Sequence, residues 1–103
     1  MATVRLSAPA DDALAAIILH RRQAVGFLAA RALRQRIMGR IYQLRDFPEL
    51  GRRTYETRDD DRRELIVTPY RVLYRVVGDT VIVLTIVDAR YPFLDRKDND
   101  AES

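Results

Sequence analysis

Histidine and cysteine, the side chains most often used to move protons or attack as nucleophiles near neutral pH, are almost missing from this 103-residue chain. There is no cysteine, and His20 is the single histidine. Disulfides, thiolate zinc sites, a cysteine nucleophile and a two-histidine acid–base pair are therefore excluded within one chain. The chain is rich instead in guanidinium: 17 of its 18 basic residues are arginine, and the exception is Lys97. A guanidinium keeps its charge and offers a planar fork suited to phosphate or carboxylate. Arg71 and Arg75 stand at the spacing of one strand face. Arg63 before them and Arg90 after them are candidates to join a cluster holding phosphate or a partner's carboxylate. A competing reading is a solvated face whose arginines pair with Glu64, Asp79 or Asp88, in a chain whose arginine content reflects genomic base composition.

Other polar features carry less chemistry. Asp59, Asp60 and Asp61 form an acidic run, but consecutive aspartates do not converge on one ion without a defined loop such as the EF-hand pattern, which is absent. They read as a solvated loop. His20 falls near the end of a helix, where a cation complements the dipole. Arg31, Arg34, Arg36, Arg40 and Arg45 are scattered around a second helix and read as solvated surface. No phosphate-binding glycine loop, nucleophile elbow or zinc spacing is present. No metal and no cofactor are expected.

The elements that must position these residues follow from periodicity. Thr3 to Leu6 alternates and reads as a short strand. Ser7 as N-cap, Pro9 in the first turn and Asp11 and Asp12 near the positive dipole end predict a helix from Ala8 to Arg22. Its buried stripe is Leu14, Ile17, Ile18 and the stem of Arg21. A second stripe, Ala30, Leu33, Ile37, Ile41 and Leu44, points elsewhere, so a break between Arg22 and Gly26 makes a helical hairpin. Phe47-Pro48-Glu49-Leu50-Gly51-Arg52 ends the second helix near Asp46. A short edge strand from Arg53 to Glu56, a charged loop from Arg58 to Asp61, and strands over Arg63 to Thr68, Tyr70 to Val77 and Thr80 to Val87 follow, the last being the most buried. Gly78-Asp79 makes a tight hairpin turn. In the strand Tyr70 to Val77, Tyr70, Val72, Tyr74 and Val76 face the core.

This order predicts an α+β fold: an N-terminal strand, a helical hairpin, then a three- to four-stranded, mostly antiparallel sheet packed against the helices. Length allows one domain, over residues 1–94, with a polar tail at 95–103 that frays. Residues 1–97 hold all 18 basic groups and 12 acids, a charge of +6, and the last six residues are acidic. A basic domain of this kind suits nucleic acid or an acidic protein partner. The first residues lack the basic start and apolar run of a leader, and no apolar stretch approaches ~20 residues, so a cytoplasmic protein without membrane contact is expected.

The run Leu44-x-x-Phe47-Pro48-x-x-Gly51-Arg52, then Arg63-Glu64-Leu65, Tyr70-Arg71-Val72-Leu73-Tyr74-Arg75-Val76 and Gly78-Asp79, resembles the ParE/RelE superfamily of bacterial toxins. The opening Val4-Arg5-Leu6-Ser7, the Leu14-x-x-Ile17 helix and the element order agree over residues 3 to 91. Ala13 departs from the pattern, since many members carry an acidic residue there. The resemblance implies the toxin component of a type II toxin–antitoxin pair, inert while bound to its antitoxin. ParE-type members inhibit DNA gyrase, and RelE-type members cut messenger RNA on the ribosome.

The residues favour the ParE-like branch. The RelE-type lysine positions fall on Arg62 and Glu64, so an acid stands in a site that must embrace phosphates. The enzymes place their late tyrosine several residues beyond the position of Tyr91. The alternative, a ribosome-dependent mRNA endonuclease, would assign its chemistry to Arg62, Arg71 and Arg90. A third reading is a non-toxic binding module of the same fold. The ParE-like reading implies no catalytic residue. It implies a ParD-like antitoxin contacting Leu28, Tyr42, Arg63, Arg71 and Arg75, and a gyrase contact including Arg90, Tyr91 and Phe93.

Overall fold

The computed structural model of the chain describes residues 1–54 and 61–90. Most of the predicted loop from Arg58 to Asp61, the end of the predicted edge strand at Glu56, and the 95–103 tail lie outside the described residues. Strand β1 spans Thr3–Leu6. Helix α1 runs Ala8–Ala24 and helix α2 Phe27–Tyr42, the latter extended by a 3-10 turn at Gln43–Arg45. Strands β2 (Arg52–Arg53), β3 (Arg62–Val67), β4 (Tyr70–Val77) and β5 (Thr80–Asp88) complete the order.

The strands form one five-stranded sheet in the order β1-β5-β4-β3-β2. The chain is thus the expected α+β fold. Its N-terminal strand joins the sheet by parallel pairing to β5, and the other pairings are antiparallel. Among the described residues, no helix is long and apolar enough to cross a membrane.

Local chemistry explains where α1 begins and ends. The Ser7 hydroxyl accepts from the Ala10 N–H at 3.2 Å and donates to the Leu84 carbonyl at 3.0 Å. One N-cap therefore starts the helix and fastens it to β5, where the register with β4 slips between Leu73 and Tyr74. Val25 caps the far end, its N–H donating to the Arg21 carbonyl at 2.9 Å. Gly26 then takes φ 140°, a conformation that a side chain disfavours, and the chain reverses into α2.

The helices cover one face of the sheet. The α2 stripe is buried throughout at Ala30, Leu33, Ile37, Ile41 and Leu44. Helix α1 buries Ala10 and Leu14, while Ile17 and Ile18 pack partly buried against the core. The expected burial of the Arg21 stem is not found. Arg21 is exposed, because small Ala10, one turn before Leu14, brings the start of α1 rather than its end against the sheet. From the sheet come Leu65, Val67, Tyr70, Val72, Tyr74, Val81, Val83 and Ile86.

One polar contact sits inside this core. Tyr74 has no exposed surface. Its hydroxyl donates to the Pro48 carbonyl at 2.9 Å and accepts from the Gly51 N–H at 2.8 Å. The loop Phe47 to Arg52 is thereby folded onto β4. Gly51 lies so close that an added Cβ would stand 2.7 Å from the Tyr74 ring and from the Glu64 carbonyl, so the position admits no side chain. Burial pushes the Tyr74 phenol above its usual value of 10.0, against the lowering effect of the Gly51 hydrogen bond and of Arg63.

Tyr74→Phe should lose about 1–3 kcal/mol in urea unfolding, because the buried Gly51 N–H and Pro48 carbonyl lose their partner. Gly51→Ala should cost at least as much. A raised phenol value means the folded state holds its proton where the unfolded state has released it. Stability from this group is complete below about pH 10 and is lost as pH rises through the folded value. The alkaline fall in stability should be shallower in Tyr74→Phe than in the parent chain.

Candidate functional site

Register decides which arginines share a face. Paired residues on neighbouring strands project to the same side. Leu65, Val67 and Tyr74 face the helices, so Arg63, paired with Tyr74, faces that side as well. Its guanidinium donates to Asp61 at 2.8 Å and to the carbonyls of Glu49 at 3.1 Å and Gly51 at 2.9 Å. The expectation that Arg63 joins Arg71 and Arg75 is therefore corrected. Arg63 is a strut that braces the Phe47–Arg52 loop beside the Tyr74 hydroxyl.

The uncovered face collects a different set. Arg62 pairs with Arg75, Arg75 with Ile82, and Ile82 with Arg5, so one row across four strands carries three arginines. A second row runs Thr85, Leu73, Glu64 and Arg52. A third runs Val87, Arg71 and Ile66. Arg71 and Arg75 lie on this face as expected from their parity. Arg5 and Arg52 belong to it as well, and the sequence reading missed both. Alternation within Thr3 to Leu6 was the available signal for Arg5, since Val4 and Leu6 pack inward.

Glu64 is the acid of this face. It is 7% exposed and bridges Arg52 at 2.7 Å and Arg71 at 3.4 Å. Arg52 is 82% exposed at its side chain and contributes little by itself, whereas the buried carboxylate needs its cations. The competing reading of arginines paired to Glu64 is thus realised for Arg71 and Arg52.

Arg90 is elsewhere. It borders a cavity of about 320 Å³ on the helical side, with Arg21, Arg36, Thr68 and Tyr70. The structure therefore does not bring Arg90 into one cluster with Arg62 and Arg71. Its guanidinium binds Asp88 at 2.7 Å, and this hydrogen bonding holds the Asp88 carboxyl below its usual value of 3.8. Arg36 donates to the Thr68 carbonyl and ties α2 to the β3–β4 turn. His20 is exposed near the end of α1. Leu28 and Tyr42 are exposed on α2, at 75% and 54%. Tyr91 and Phe93 lie outside the described residues. Among the described residues, no group of three or more His, Cys, Asp or Glu side chains is placed to hold a metal ion.

These features define a small α+β protein with helices on one sheet face and an arginine-rich second face. Similarity to known proteins is specific. The chain belongs to the ParE toxin family: the family described as "ParE toxin of type II toxin-antitoxin system, parDE" matches residues 4–91. Toxin ParE3 of Caulobacter vibrioides is 38% identical over 65 residues, which cover 63% of this chain and 64% of that protein. The aligned part thus spans somewhat under two thirds of that relative. The fold matches a solved structure titled "Chromosomal ParDE TA system from P. aeruginosa" with a TM-score of 0.65 and 22% identity, over 85% of this chain and 96% of that one.

Replacing Glu64 by Gln should remove the charge holding Arg52 and Arg71 and lower stability by about 1–3 kcal/mol. Arg52→Ala should cost less than about 1 kcal/mol. Chemical unfolding of both variants checks the order.

Proposed function

We propose that this chain is a ParE-like toxin that inhibits DNA gyrase by binding and is neutralised in the cytoplasm by a ParD-like antitoxin. The observation that carries the reading is the buried Glu64 on the arginine face. Cleavage of RNA through its 2′-hydroxyl needs a proton acceptor, cations around the phosphorane and an acid for the leaving oxygen. At the centre of this face stands an anion that already occupies Arg71 and Arg52. Among the described residues the face has no histidine or lysine, arginine is a poor proton acceptor, and the one carboxylate, Glu64, is buried and engaged by two guanidiniums. Family membership and the absence of cysteine point the same way.

The antitoxin contact is assigned to the outer face of α2 and part of the sheet. Leu28 and Tyr42 are 14 positions apart, about 40° from alignment around a helix and ~21 Å along it. They point away from the buried stripe and suit an amphipathic segment lying along α2. Arg71 and Arg75, on the opposite face of the sheet, would attract acidic residues of the antitoxin beyond that segment. Arg63 leaves this set because its side chain is 14% exposed and engaged with Asp61. Arg90, with Tyr91 and Phe93, is assigned to the gyrase contact.

Purified chain should abolish supercoiling by gyrase and leave cleaved DNA. Unchanged supercoiling at saturating chain would overturn the gyrase reading. Leu28→Glu combined with Tyr42→Glu should weaken antitoxin binding by at least about tenfold, the loss expected when two apolar contacts are replaced by charge. An unchanged affinity by calorimetry would remove these residues from the contact.

A further inference from the structure

We propose that the tip of the helical hairpin docks the chain on an anionic lipid surface, with apolar side chains entering the headgroup layer and arginines holding the lipid phosphates. From Leu19 to Leu28 every residue is exposed except half-buried Gly26. The turn between α1 and α2 thus stands clear of the core. At its end Val25, Phe27 and Leu28, three large apolar side chains within four positions, are each at least 61% exposed. Single exposed apolar residues are ordinary, but a cluster on a projecting turn leaves water only against something outside the chain. The charge around this tip has one sign. Between Asp12 and Asp46 the sequence holds seven arginines and no acid. Arg21 and Arg22 stand in the last turn of α1, and Arg31 and Arg34 in the first two turns of α2. Among the described residues none of these four forms an ion pair, and the Arg22 guanidinium lies over the Phe27 ring, 6.0 Å from its centre. The start of α2 adds to the positive sign, since neither a side-chain cap nor a first-turn acid meets it.

An apolar tip inside a cationic rim selects its partner. A nucleic acid offers phosphates to the arginines but nothing apolar to Val25 and Leu28. A second copy of the chain would bring like charges together. An anionic bilayer satisfies both kinds of side chain, with headgroup phosphates for the guanidiniums and acyl carbon for the tip. Arginine stems lie along apolar surface while their charged heads stay in the polar layer. The expectation of no membrane contact was drawn from the lack of a spanning segment, which attachment of this kind does not need. The contact requires neither gyrase nor an antitoxin. An antitoxin lying along α2 over Leu28 would cover part of the tip, so the lipid contact belongs to the free chain.

The chain has no tryptophan, so Phe27→Trp places a single reporter at the tip. Its emission should move to shorter wavelength when the purified chain meets vesicles of phosphatidylcholine with about one third phosphatidylglycerol, and stay unchanged with phosphatidylcholine alone. Ile66→Trp, at an exposed apolar position on the open face of the sheet, should show no shift with either. In vesicle sedimentation, Arg22→Gln with Arg31→Gln should lower partitioning by about fivefold per arginine at low salt. Val25→Ser with Leu28→Ser should lower it by at least about tenfold with an unaltered thermal midpoint, which separates loss of contact from loss of fold. Arg5→Gln with Arg75→Gln on the sheet should leave partitioning unchanged. No shift of the Phe27→Trp emission with the anionic vesicles would overturn the proposal, as would an equal shift at Ile66→Trp. The same shift given by a short DNA duplex in place of vesicles would also overturn it, in favour of nucleic acid. A chain that binds vesicles but spares gyrase sinks the gyrase reading alone. One that inhibits gyrase without binding vesicles sinks this proposal alone.

Discussion

Burying a tyrosine completely obliges its hydroxyl to find partners inside the protein, and Tyr74 meets that obligation with the backbone of a loop. The Pro48 carbonyl and Gly51 N–H are the groups a loop would otherwise turn to water. Because they turn inward, the chain leaving α2 is drawn across the end of the sheet and delivered to β2. Arg63 adds two further bonds to the same loop from the neighbouring strand. The stretches Phe47-Pro48-x-x-Gly51-Arg52 and Tyr70-Arg71-x-x-Tyr74 are thus two halves of one contact. Glycine is required because the Tyr74 ring occupies the place of its side chain.

That architectural role frees the rest of the surface. Arg52 emerges from the braced loop onto the open face and meets Glu64 on β3. Glu64 in turn holds Arg71. The chain of dependence runs from a buried hydroxyl, through a glycine turn, to the arrangement of charge on the uncovered side. The helical side is organised separately. Its exposed apolar residues, Leu28 and Tyr42, stand opposite a stripe whose burial uses up the other side of α2. Two surfaces of different chemistry therefore sit on one small core, one on the helices with exposed apolar residues, the other the arginine-rich face of the sheet.

Periodicity made much of this legible. The α2 stripe needed only steps of three and four, and the parity of Tyr70 to Val77 placed Arg71 and Arg75 correctly. The position of Arg63 was also available. Thr68-Pro69 is a two-residue turn, and counting back from it sets Arg63 opposite Tyr74 rather than beside Arg71. Treating the arginines as a group, without the register, put it on the wrong face. Other features depend on long-range pairing. Arg5 reaches the arginine row because β1 pairs in parallel with β5, 77 residues away in the register of Leu6 and Val83. The slip between Leu73 and Tyr74, which sets Leu84 against Ser7, needs both strands and the helix to be seen. Arg90 turns to the helical side beyond the last paired residue, where strand parity gives no guidance.

The central claim is that this fold acts by occupying its target rather than by turning over a substrate. A stoichiometric titration tests it most directly, counting gyrase-dependent DNA breaks against added chain at fixed, high gyrase concentration. Occupation predicts breaks that rise in proportion to the chain and level off at a fixed small-integer ratio to gyrase. Breaks or RNA cuts that accumulate with time at far lower amounts of chain, or without gyrase, would contradict it.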